Sequence, residues 1–263
     1  MEHEASLRLA IFFGLLIGMA LWEVAAPRRP ATLGRKGRWP ANLGIAILDS
    51  LVVRILLPGG AVAFAAAYAS TGYGLLPLLG VPDWLAFVLA IAALDLAIYF
   101  QHRLFHAVPV LWRLHRMHHS DVDLDVTSGA RFHPAEILLS IAIKLGAIAV
   151  LGAPAAAVLA FEVILNACSM FNHANVAMPA WLERALRFVL VTPDLHRIHH
   201  SRERIETDSN FGFSVPWWDR LFGTYRPEPE RGQLGMTIGL DVFNTRQDQK
   251  LAALLVQPLR KAP

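Results

Sequence analysis

Cysteine is almost missing from this 263-residue sequence; Cys168 is the single one. A disulfide framework, a cysteine-ligated zinc site and an iron–sulfur cluster are thereby excluded. Charge is scarce too. Only 17% of residues are charged, against about 25% in soluble domains. Lysine is rare, with 4 beside 20 arginines. That bias and the abundant alanine fit a GC-rich bacterial genome. The formal charge of +3 and pI near 9.3 are too small a bias for nucleic acid. Gly-x-Gly-x-x-Gly, C-x-x-C-H and H-E-x-x-H are absent, so no dinucleotide fold, attached haem or common zinc protease is indicated. The Glu-x-x-His pair of carboxylate-bridged di-iron bundles is absent as well.

What is present is apolar. Hydrophobic residues make up 55% of the chain and mean hydropathy is +0.42, as in a membrane protein with a moderate polar part. A span needs about 20 mostly apolar residues. Leu7 to Ala26 qualifies, with acidic residues before it and Arg28, Arg29, Arg35, Lys36 and Arg38 after it. Secretory signals carry their positive charge first, so a retained anchor is expected. Ile45 to Ala69 follows, broken by Pro58-Gly59-Gly60, and then Leu85 to Phe100. Ile137 to Leu151 and Ala155 to Phe171 form a pair around Gly152-Ala153-Pro154, a full crossing and return or a re-entrant hairpin. Basic residues gather in 27–44, in 103–134 and after Phe171, whereas 70–84 holds only Asp83. The positive-inside rule places the basic segments in the cytoplasm and the N-terminus outside.

Ten of eleven histidines lie between residues 102 and 200. They read His102-x-x-x-His106, His115-x-x-His118-His119, then His133 and His173 singly, then His196-x-x-His199-His200. Positions i, i+3 and i+4 share a helix face, so each box aims its imidazoles one way. All ten fall on the side expected to be cytoplasmic. One metal cannot use ten ligands, so two metals are implied, and neutral imidazole suits zinc, copper, iron or nickel. A histidine-only pair of metals beside lipid fits oxygen activation by iron. Asp121-Val-Asp123-Leu-Asp125 opens like a calcium loop, but Val126 and Phe132 stand where glycine and glutamate belong, which rejects it.

The order of the boxes resembles the fatty acid hydroxylase superfamily, with its sterol desaturase and alkylglycerol monooxygenase-like members. Thr127 to Glu136 resembles its Arg-x-His-Pro-x-Glu segment. Thr192-Pro193-Asp194-Leu195, Asn210-Phe211-Gly212 and Trp218 to Tyr225 resemble its later signatures. The resemblance covers about residues 90–226. It implies an integral-membrane di-iron oxygenase that hydroxylates or desaturates lipids, sterols or carotenoids, or cleaves ether lipids. It carries over His102, His106, His115, His118, His119, His196, His199 and His200 as metal ligands, with His133 and His173 beside them. It also implies two iron ions, dioxygen as co-substrate and a separate electron donor, whether reductase, ferredoxin, cytochrome or pterin.

Asp95 and Asp194 are the carboxylates expected to act with the site. Asp95 lies two turns before His102 on the same face, where a carboxylate can fix a ligand's tautomer. Asp194, with Asp208, is placed to orient the last box. Glu162 and Asn166 are candidates to face the metal cavity, and Arg54 and Lys144 to snorkel or pair. Trp217, Trp218 and Phe222 suit an interfacial belt. Arg103, Arg116 and Arg197 within the boxes are candidate lipid-phosphate contacts.

The expected fold is all-α: an integral-membrane bundle of four to five hydrophobic helices with a cytoplasmic helical cap that holds a histidine-rich dinuclear metal site. Residues 1–84 supply the first spans, 85–226 the catalytic domain and 227–263 a cytoplasmic tail. The expected activity is lipid hydroxylation or desaturation in a bacterial inner membrane, with no nucleic-acid partner. A zinc-dependent membrane hydrolase or a histidine-rich metal transporter is the alternative.

Overall fold

The computed structural model describes residues 4–261. Among them regular structure is helical, apart from the isolated bridges Pro27–Val176 and Ser201–Ile238. Helix α1 (Glu4–Ala25) is the first apolar run. Helix α2 (Arg35–Leu56) starts ten residues before the expected span, and α3 (Gly60–Ala69) continues it. The break falls at the expected Pro-Gly-Gly, where Pro58 removes a donor and Gly60 takes φ 64°. After the short α4 (Leu75–Leu78) comes α5 (Asp83–Ala107), which runs beyond its apolar stretch and carries the first histidines on its last turns. Helix α6 (Pro109–His119) follows at once, with proline at its first position.

Helices α7 (Pro134–Leu151) and α8 (Ala155–His173) form the hairpin. Gly152 ends α7 in the left-handed conformation, at φ 63° and ψ 44°. A Cβ on Gly74 would lie 2.3 Å from the Gly152 nitrogen, so the two backbones touch here. Among the described residues, five helical stretches, counting α2 with α3 as one, are long and apolar enough to cross a membrane. At ~1.5 Å per residue, α7 and α8 each span roughly 27–29 Å, close to the hydrocarbon thickness. Leu7, Phe13, Ile17, Ile47, Leu51 and Ile55 lie exposed on α1 and α2. In a protein whose core is already filled, such surface is made for lipid.

Helix α8 packs against α1, α3 and α5, and α7 packs against α3 and α5. Between them lies the apolar core, with Ala61, Ala65, Ala90, Leu94, Ile148, Ala157 and Phe161 almost fully buried. Small side chains let these helices approach closely, as in membrane bundles generally.

From Ala174 onward the chain is less regular than the expected helical cap. Helices α9 (Ala180–Leu186), α10 (Pro193–His199), α11 (Arg204–Thr207), α12 (Trp217–Leu221), α13 (Gly232–Gly235) and α14 (Leu251–Val256) have four to seven residues each. Buried polar groups tie the segments around the histidines together. Arg38 of α2 is 1% exposed and pairs with Asp121 and Asp125, with Asp123 at 3.6 Å. The carboxylate of Asp123 also accepts the backbone N–H groups of Thr32, Leu33 and Gly34 ahead of α2. The aspartate run that resembles a calcium loop therefore receives a guanidinium. Arg116 and Arg197 are buried as well. Arg116 donates to the carbonyls of Gln257 and Arg260, and Arg197 to Asp194 and Gln233. Neither is free for a lipid phosphate.

Candidate metal centre

Among the described residues, nine histidines converge in two adjoining groups. His102, His106, His115, His119 and His199 form one; His118, His173, His196 and His200 form the other. Within each group, one potential ligand atom per residue lies within 4.8 Å of all the others. None of the nine is more than 7% exposed.

Helix geometry explains the division. At ~100° per residue, positions i and i+4 point within roughly 40° of each other, and i+3 points roughly 60° to the other side of i. His115 and His119 accordingly enter one group and His118 the other. The last box obeys the same rule with the assignment exchanged: His196 and His200 join the second group and His199 the first. One spacing, used on α6 and α10, thus knits both groups to both elements.

Six of the nine rings are aimed by a partner on the far nitrogen. His102 Nδ1 donates to the Phe211 carbonyl at 2.8 Å, His118 to Arg131 at 3.1 Å, His173 to Ser169 at 2.7 Å and His199 to Ser209 at 2.8 Å. His115 Nδ1 donates to Glu136 at 2.6 Å, and His106 meets Asp208 at 3.4 Å. An oxygen at Nδ1 holds the proton there and leaves the Nε2 lone pair for a metal. The Nε2 atoms then face one another: 3.1 Å for His102 and His115, 3.2 Å for His106 and His119, 3.0 Å for His118 and His173, and 3.1 Å for His173 and His196. Ligand nitrogens ~2.1 Å from a shared ion stand about 3.0–3.4 Å apart at right-angled or tetrahedral geometry. Among the described residues, His199 Nε2 and both ring nitrogens of His200 have no hydrogen-bond partner despite full burial. Buried donors and acceptors are normally satisfied, so these orphans fit residues that hold metal.

Burial and neighbouring histidines push His118, His119, His196 and His200 well below the ordinary histidine range. Burial brings His199 down to about 3. These five rings are thereby favoured in the neutral form that metal binding requires.

Aromatic rings close the site. Phe132 stacks on His118 at 4.4 Å, and Phe213 lies 6.0 to 6.4 Å from His102, His173 and His196, so it touches both groups. Both phenylalanines belong to the apolar core between α3, α5, α7 and α8. Trp112 covers His106 and His119 from another side.

His133 stands apart from both groups. It caps α7, accepting from the Ala135 N–H at Nδ1 while Nε2 meets the Leu255 carbonyl at 3.1 Å. Asp95 accepts from Trp218 at 2.8 Å rather than from a histidine. Asp194 pairs with Arg28 and Arg197. Asp208 faces His106 of the first box, not the last. Glu162 pairs with Lys144 and Arg8, and Asn166 donates to the Glu162 carbonyl. Glu136 has a partner that the sequence reading did not assign, although it sits in the quoted Arg-x-His-Pro-x-Glu segment.

The model of the fatty acid hydroxylase family matches residues 87–224, more than half the chain. Ornithine lipid hydroxylase OlsE of Rhizobium tropici is 34% identical over 152 residues, covering 57% of this chain and 45% of that protein. Alkylglycerol monooxygenase of Homo sapiens is 30% identical over 161 residues, 59% of this chain and 34% of its own length. Very-long-chain aldehyde decarbonylase GL1-1 of Oryza sativa is 30% identical over 188 residues, 66% of this chain and 30% of that one. The chain thus spans less than half the length of each of these relatives. No solved structure matches it. With its histidine boxes, its apolar helices and a family match that spans all nine converging histidines, this chain belongs to the fatty acid hydroxylase family.

Proposed function

We propose that the chain is an integral-membrane lipid oxygenase. In this reading it uses two iron ions, dioxygen and two external electrons to hydroxylate or desaturate a C–H bond of a lipid. The observation that carries the reading is the pair of adjoining all-histidine groups set directly beneath an apolar core. His102, His106, His115, His119 and His199 would hold one ion, and His118, His173, His196 and His200 the other. Iron bound there supplies the dioxygen activation that an inert C–H bond demands.

The chain's own residues do the rest. Phe132 and Phe213 bring the apolar core to the histidines and exclude water from that face. Glu136 and the loop carbonyls hold protons on Nδ1. The substrate is a lipid with a long apolar chain: fatty acyl, sterol-like, ether lipid or carotenoid. The ornithine lipid and alkylglycerol named for the relatives favour a chain on a polar headgroup. Electrons come from a separate reductase, ferredoxin, cytochrome or pterin, since the sequence carries neither a dinucleotide motif nor cysteines for a cluster. We place the histidine face at the cytoplasmic side of a bacterial inner membrane, on the strength of the arginines in 27–44, 103–134 and after Phe171. Catalysis is assigned to residues 85–226, with 1–84 and 227–263 packed around them.

The test pairs metal analysis with lipid analysis on detergent-purified protein from iron-supplemented cells. The His118→Ala, His199→Ala double variant removes one ligand from each group. About two irons per chain in the wild type, loss of iron in the variant, and host lipids that gain an oxygen or lose two hydrogens would support the reading. Tightly held zinc with no oxidised lipid would overturn it in favour of hydrolysis or transport.

A further inference from the structure

The segments Asn210-Phe211-Gly212 and Trp218 to Tyr225 carry no histidine, yet they sit against the site. Asp219, in the first turn of α12, is fully buried. Burying a carboxylate is costly unless its oxygens are hydrogen-bonded. Here it accepts from the Phe211 N–H at 2.7 Å, the Gly212 N–H at 2.7 Å and the Thr224 hydroxyl at 2.7 Å. All three donors are neutral. A Cβ on Gly212 would lie 2.7 Å from the Asp219 carboxylate and 2.6 Å from the Val215 carbonyl, so only glycine lets the backbone come this close.

The other edge of the same loop holds the histidines. Phe211 gives its N–H to Asp219 and its carbonyl to His102 Nδ1. Two residues earlier, the Ser209 carbonyl holds His199. Thr224 completes a ring of contacts by meeting the Tyr99 hydroxyl at 2.8 Å. Trp218, next to Asp219, is fixed by Asp95. Asp95, Tyr99 and His102 stand at i, i+4 and i+7, one face of α5. Thus α5 anchors the loop at two points and receives it back at the third, on a ligand.

From this ring we infer that Asp219 is a positioning residue for the five-histidine group, fixing through the 209–212 backbone which nitrogen of His102 and His199 faces the metal. In the four-histidine group, His118 and His173 are aimed from elsewhere, by the carbonyls of Arg131 and Ser169. This inference rests on the metal reading proposed above. In Asp219→Asn, an amide N–H would oppose a backbone N–H that now donates to a carboxylate oxygen.

The test is a Co(II) titration of the metal-free, full-length protein in detergent, followed by visible absorption and by metal retained after gel filtration. The wild type is expected to take up two ions. Asp219→Asn should bind one ion as the wild type does and the other about 10–100-fold more weakly, the range for loss of a ligand's supporting contact. Thr224→Val leaves the carboxylate and its two backbone contacts in place, and should show the same selective weakening to a smaller degree; it decides the matter if Asp219→Asn does not fold. Two ions bound at wild-type affinity in both variants, or both ions weakened equally, would overturn the assignment. A wild-type protein that binds no cobalt would instead overturn the metal reading, and this inference with it.

Discussion

His115 donates from Nδ1 to the carboxylate of Glu136 at 2.6 Å, across two elements that the chain separates by a loop. Glu136 stands in the first turn of α7, just inside the cap formed by His133. The imidazole of one helix is therefore held by the opening turn of the next. Shifting α7 along its axis would release the ring.

Glu136→Ala removes the acceptor and frees His115 to rotate. Metal affinity of the five-histidine group and turnover should each fall about 10–100-fold, while Glu136→Gln, which still accepts, should lose less. Iron content per chain and product formation in the same preparations check this.

A Cβ at Gly129 would lie 2.5 Å from the Ser169 carbonyl, the group that receives His173 Nδ1. Gly129→Ala must push that carbonyl away, at a cost of about 1–3 kcal/mol. The four-histidine group should weaken while the five-histidine group keeps its ion. Cobalt titration separates the two.

Arg38 lies among three buried or nearly buried carboxylates. Arg38→Met roughly keeps the volume and removes the charge, leaving Asp123 and Asp125 without their guanidinium and Asp121 with Arg131 alone, at 3.6 Å. Stability should fall by about 3–5 kcal/mol, read as a lower midpoint of thermal unfolding in detergent, with no histidine altered.

In the metal-free protein, His199 protonates at about 3, whereas an unfolded chain takes up that proton near 6.5. The unfolded state therefore binds more protons throughout that window, and stability rises with pH across it. Above about 6.5 the protein keeps its full stability; acidification toward 3 should destabilise it by up to about 1.4 kcal/mol per pH unit for each such histidine. Bound metal blocks protonation, so the loaded protein should begin to unfold at lower pH. Unfolding midpoints between pH 7 and pH 4, with and without metal, test the difference.

The convergence of nine histidines was largely legible because the pentad spacing is a local property of one helix. His133 carries the same side chain but precedes a proline at a helix start, where its ring is drawn to the Ala135 N–H and to Leu255, a residue far along the chain. Asp95 lies on the face expected for it, yet its partner is Trp218, 123 residues later. The aspartates at 121, 123 and 125 answer Arg38, more than eighty residues earlier. In each case the sequence displayed the group but not its distant partner, because short-range periodicity carries no information about which loop returns. The spans were legible from hydropathy. The start of α2 and the end of α5 lay outside the apolar runs, since those turns are basic or histidine-bearing and hydropathy does not mark them.

Both histidine groups draw on the last box, His199 for one and His196 and His200 for the other. Neither can close before residue 200 has left the ribosome and folded back against helices already in the bilayer. In the proposed reading, metal loading is therefore a late event in the life of the chain, and a nascent or prematurely terminated product carries an open set of imidazoles instead of a centre. In the proposed reading, the order of synthesis keeps an incomplete chain from holding a finished metal site.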